Sequence, residues 1–202
     1  MEALDLSVLL RLLALYAHVL ACFSAAAGIV LGDIAIFAPR RIDAYLLGLA
    51  RKIVCWALLW LWLTGLVLIA IDTGFVLETM ASKSKLLAKL SVVTLLTLNG
   101  AALHRWVFPG LGRVQAQPAR AAWLPSLLGG FAAASWLFAA FLGVAKPLAS
   151  VVGYSGFMFL YGGALLLASA TSLILLRPRL SAQLMRAGDA LPAPRLSLAR
   201  AG

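Results

Sequence analysis

Five separate stretches of this chain stay apolar for about 20 residues or more, at about 9–37, 53–71, 86–108, 123–145 and 151–176. A helix needs ~20 residues to cross a hydrocarbon core of ~30 Å. Inside that core every backbone N–H and C=O must be satisfied within the protein, which leaves helices or closed barrels. Runs of this length predict helices. Composition agrees: 63% of the 202 residues are hydrophobic and 12% are charged, against ~45–50% and ~25% in soluble domains. A water-soluble globule of this size has too little interior for so much apolar surface, and a disordered chain needs the opposite bias. The expected fold is all-α, a polytopic bundle of five transmembrane helices over residues 1–176. Breakers stand between the runs: Pro39, then Asp72 and Gly74, Pro109 and Gly110, Lys146-Pro147, and Arg177-Pro178. From residue 177 to 202 the chain is polar, holds Pro178, Pro192 and Pro194, and reads as a poorly ordered tail.

The net charge is +10. No basic surface module with interleaved aromatics is visible, so the expected partner is the lipid bilayer and not nucleic acid. With five spans, the first loop, the third loop and the C-terminal tail share a side. That side collects 12 of the 17 Lys and Arg, among them Arg40, Arg41, Arg51, Lys52, Arg105 and Arg120. Basic loops stay in the cytoplasm, so the N-terminus is expected outside and the C-terminus inside. Cys22 and Cys55 both lie within apolar runs and form no CxxC pair, so neither a disulfide framework nor a zinc site is indicated.

Ionisable side chains at bilayer depth cost at least ~2.5–3.5 kcal/mol on insertion scales and mark functional sites. Four stand out: His18 and Asp33 in the first span, Lys89 and His104 in the third. At 100° per residue, His18, Cys22, Ala25 and Asp33 form one stripe, and Lys89, Val93, Thr97, Gly100 and His104 another. Within each pair the separation is 15 residues, or ~22 Å. Two parallel helices would therefore bring His18 to the level of Lys89 and Asp33 to that of His104, a second polar layer. Each residue also has a structural reading: His18 bonded to a neighbouring helix, Lys89 reaching to headgroups, Asp33 and His104 as an interfacial pair. Trp56, Trp60 and Trp62 form a packing stripe on the second span, and Trp56 and Trp60 are candidates to line a flat cofactor. Gly129, Gly130, Ala133 and Ala134 allow tight packing of the fourth and fifth helices, which could also carry a homo-oligomer contact. No Walker loop, dinucleotide fingerprint, HExxH or serine elbow is present.

His18 early in the first span, Arg51-Lys52 read as the end of a loop, and the third-span opening Lys85-Leu86-Leu87-Ala88-Lys89-Leu90 resemble the small bacterial haem-associated protoporphyrinogen oxidases of the HemJ type. They are also similar to CopD-like copper-resistance membrane domains. The resemblance covers about residues 8–108. It implies a bacterial inner-membrane protein binding haem b between the first and third helices, with His18 on the haem iron and Lys89 as the second functional residue. It also implies a redox role with a porphyrin substrate or an electron-transfer partner. Ser82-Lys83-Ser84-Lys85 stands where that family has a tryptophan-rich lead-in, and the family commonly has four spans. Two other function classes stay open on the residues themselves. One is a small metal or proton transporter using Asp33, His104, Lys89 and Cys22; the other is a non-catalytic membrane subunit.

Overall fold

The computed structural model describes residues 6–39, 42–111, 115–145 and 147–188. Arg40, Arg41, Arg113, Lys146 and the tail beyond 188 lie outside the described residues. Among the described residues the elements are all helices, joined by turns and short loops, and five are long and apolar enough to cross a membrane: Leu6–Phe37, Ala44–Thr73, Ser84–Leu111, Pro118–Val144 and Val151–Arg186. The first two are α1 (Leu6–Phe37) and α2 (Ala44–Thr73). A short α3 (Leu77–Ser82) leads into α4 (Ser84–Ala102), which runs on to α5 (Phe108–Leu111). Next come α6 (Pro118–Ala121), α7 (Trp123–Val144), α8 (Ala149–Thr171) and α9 (Arg177–Gly188). One end of the bundle carries α3, and the other carries α9.

α2 begins nine residues before the expected start at 53. Asp43 caps it, its Oδ1 accepting from the Leu46 N–H at 2.9 Å, which satisfies one of the free first-turn donors. Arg51 and Lys52 are therefore helical, not the end of a loop. Gly74 ends the helix in the left-handed conformation (φ 57°), its N–H bonding the Ala70 carbonyl.

Two expected stops are not stops. Pro109 and Pro178 both sit within continuing helix, and each follows a π-helical turn, Leu103–Val107 and Ser172–Leu176. A proline ring clashes with the carbonyl four residues back and removes one N–H. The wider π turn shifts those carbonyls, with Phe108 N–H bonding Leu103 O and Arg177 N–H bonding Ser172 O, so the helix survives. The first part of the expected tail is consequently α9, an ordered helix.

Packing divides the molecule in two. α1 pairs with α2 and α4 packs with α7 and α8. Ala88, Val92, Phe138, Leu142, Phe157 and Tyr161 form the core of the second group. Gly130 makes the α7–α8 crossing: a Cβ there would lie 2.8 Å from the Ala168 carbonyl oxygen and 2.9 Å from Ser172 Cβ. α9 joins the two groups. Its Leu180 and Leu184 are buried with Ala35 of α1, Leu47 of α2, and Val107 and Leu111 below α4, while Gln183 Nε2 donates to Pro39 O at 3.1 Å.

Candidate functional site

Away from α9, the two groups meet through side chains, and a cavity of ≈ 240 Å³ opens between α1, α2 and α4. His18, Trp62, Gly65, Asp72, Lys83 and Lys89 line it. Asp72 and Lys83 stand toward the α3 end, and Trp62 lies ten residues along α2 from Asp72, ~15 Å deeper. Arg11 Nε donates to Asp72 Oδ1 at 3.0 Å, and Lys83 Nζ donates to the Asp72 carbonyl oxygen at 3.0 Å.

His18 is held in one orientation. Its Nδ1 lies 2.8 Å from Thr64 Oγ1. The Thr64 hydroxyl has a single proton, which it gives to the Trp60 carbonyl oxygen at 2.6 Å. Thr64 Oγ1 therefore accepts, His18 Nδ1 carries the hydrogen, and a neutral ring keeps its lone pair on Nε2. Gly65 leaves room for the imidazole edge; a Cβ there would sit 3.7 Å from His18 Cε1. The same logic closes the deep end. Thr97 donates to Val93 O at 2.7 Å and accepts from Trp62 Nε1 at 3.0 Å, tying α2 to α4.

Lys89 reaches this cavity from α4. Its ammonium makes no hydrogen bond or ion pair among the described residues. The first and third spans thus turn His18 and Lys89 into one space, with α2 supplying the wall between.

The other expected site residues lie elsewhere. Trp56 and Trp60 line a separate groove with Ala17, Ala21, Ser24 and Lys52, and are 64% and 54% exposed. Two residues advance a helix by 200°, so Trp62 faces α4 while Trp60 faces outward; the tryptophan at the cavity is Trp62. Asp33 and His104 do not form an ion pair. His104 Nε2 accepts from Arg51 at 3.2 Å, and Arg51 also lies over the Phe108 ring at 5.2 Å. Asp33 has no hydrogen-bond or ion-pair partner among the described residues. The second polar layer is therefore Arg51 with His104, backed by the Phe108 ring. Among the described residues no three His, Cys, Asp or Glu come together as a metal-holding group.

A haem would find an imidazole ligand in His18 Nε2 and a cation for a propionate in Lys89. The volume of ≈ 240 Å³ is smaller than the ~300–1,000 Å³ of pockets that hold drug-sized ligands, and a tetrapyrrole is larger than those. The cavity as it stands does not fit a whole haem, and no redox step is assigned to it. Compared with protein families, curated proteins and solved structures, the chain finds no match in any of the three.

Proposed function

We propose that this is a multi-pass protein of the bacterial inner membrane, with its α9 end in the cytoplasm, and that the cavity between α1, α2 and α4 binds a small ligand carrying an anionic group. The observation that carries this reading is Lys89. It is an ammonium on a membrane-spanning helix, facing a cavity, without a hydrogen-bond or ion-pair partner among the described residues. A cation at bilayer depth is costly, and a ligand carboxylate would offset that cost through a charge-assisted hydrogen bond. His18 Nε2 would accept a hydrogen bond from the same ligand. The excess of basic residues at the α9 end supports the orientation.

The test is to purify the full chain in mild detergent and to extract and weigh its bound small molecules, for the wild type, Lys89→Met and His18→Ala. An acidic ligand present in the wild type and lost from both variants supports the reading. The same small-molecule complement in all three overturns it.

A second reading, b-type haem, is favoured by the tautomer lock. A ring whose Nδ1–H is held by a second group while Nε2 stays open is what a metal-ligating histidine needs. It requires α1 and α4 to part, and these two pack far less extensively than α1 with α2. After expression with haem supply, this reading expects a Soret band lost in His18→Ala and kept in His104→Ala. No band sinks it.

A further inference from the structure

The groove that took Trp56 and Trp60 away from the cavity has its own chemistry. It runs over ≈ 650 Å³ along the outer face of the α1–α2 pair. Ala17, Ala21, Ser24 and Ala57 give it a floor of small side chains, and Leu20, Trp56 and Trp60 stand along it. Lys52 marks one end. It lies eight residues inside α2, ~12 Å from the helix start, and Trp60 a further ~12 Å on, near the middle of the helix.

Three donors in this groove have no partner. Neither the Lys52 ammonium nor the Trp56 and Trp60 indole N–H groups make a hydrogen bond among the described residues. Trp62 on the opposite face bonds Thr97, so the contrast is within one helix. Indole N–H groups usually find an acceptor, and on membrane proteins the acceptors lie at headgroup level; Trp56, one turn from Lys52, is placed to use one, whereas Trp60 lies deeper and offers its ring face. A cation and an indole donor at one end of an apolar channel match one kind of molecule.

We infer that the groove is a binding site for one anionic phospholipid. Its phosphate pairs with Lys52, and an acyl chain lies over Ala21 and Ala57 beside Trp56 and Trp60. Charge complementarity selects this occupant. A quinone leaves Lys52 unpaired, and a zwitterionic phospholipid brings its own cation to the phosphate that Lys52 would hold. A second copy, in the same orientation, would bring another basic α9 end against this one, where Arg105, Arg120, Arg177, Arg179 and Arg186 stand among the described residues.

The test is native mass spectrometry of the full chain in mild detergent, titrated with phosphatidylglycerol or phosphatidylcholine of matched acyl chains and reading the first lipid bound. The expected preference for phosphatidylglycerol is about fivefold, which corresponds to the ~1 kcal/mol that one lysine contributes near an anionic surface. Lys52→Gln brings the two lipids to parity, Lys52→Arg keeps the preference, and Trp56→Leu lowers retention of both. Lys52 is exposed, so these variants keep the fold. Equal retention by the wild type, a preference that survives Lys52→Gln, or a lipid-free dimer overturns the inference.

Discussion

The α7–α8 seam and the α1–α2–α4 cleft are built from similar materials and come out opposite. In the seam, Gly130 brings backbones together, and the serine and tyrosine hydroxyls between the two helices are used internally. Ser135 Oγ and Tyr161 OH share a hydrogen bond at 2.7 Å, and Ser172 Oγ donates to Ser126 O at 2.6 Å. In the cleft, Thr64 and Thr97 are likewise used, but His18 Nε2 and Lys89 Nζ are left over. Polar groups satisfied within a membrane bundle hold it together; those left facing a cavity are available to a ligand. That difference separates scaffold from site here better than the number of polar residues does.

The comparison can be broken at several points, measured by denaturant titration in mixed micelles. Leu184→Ala should cost the most, about 2–5 kcal/mol, because it empties a fully packed position where both helix groups meet. A cost near zero would mean that α9 does not join them. Gly130→Ala should cost about 1–3 kcal/mol, since the new methyl meets backbone that cannot move aside. Gly28→Ala should cost less, although a Cβ there also comes within 2.8 Å of its neighbour, because that neighbour is a Val54 methyl. Equal effects would contradict the distinction between backbone and side-chain contact.

Smaller changes sharpen it. Tyr161→Phe should cost about 0.5–1.5 kcal/mol, the loss of one buried hydrogen bond. Lys89→Met should go the other way and stabilise the ligand-free protein, because it removes an unpaired cation from bilayer depth. A loss as large as that of Tyr161→Phe would show that Lys89 has a structural partner.

Much of this architecture is legible in the sequence. Apolar run length gives five spans, and the stripes on the first and third place His18 with Lys89. The α2 wall was also within reach. A short turn between antiparallel helices fixes which positions face each other, and Arg11–Asp72, His18–Thr64, Gly28–Val54 and Gly32–Ala50 all have residue numbers summing to 82 or 83. Starting α2 at 53 hid this regularity, because Arg51 and Lys52 looked like loop residues when they are helical and reach sideways to His104 or the lipid side. Pro109 and Pro178 misled for another reason: proline propensity says that a straight α-helix cannot continue, and a π turn makes it not straight. Trp56 and Trp60 lie off the cavity because a stripe tells which residues share a face, not which neighbour that face meets. The Asp33–His104 pairing failed because matched depth does not include rotation, and Arg51 was nearer.

His18 presents an open Nε2 to the space Lys89 enters. The chain has two histidines, so ¹⁵N-histidine labelling gives a spectrum of two rings, and His104→Ala assigns them. At about pH 8, above the ordinary histidine range, His18 should show a protonated Nδ1 and a bare, pyridine-type Nε2 whose resonance moves in Lys89→Met. A proton on Nε2, or an Nε2 signal indifferent to Lys89→Met, would contradict the account.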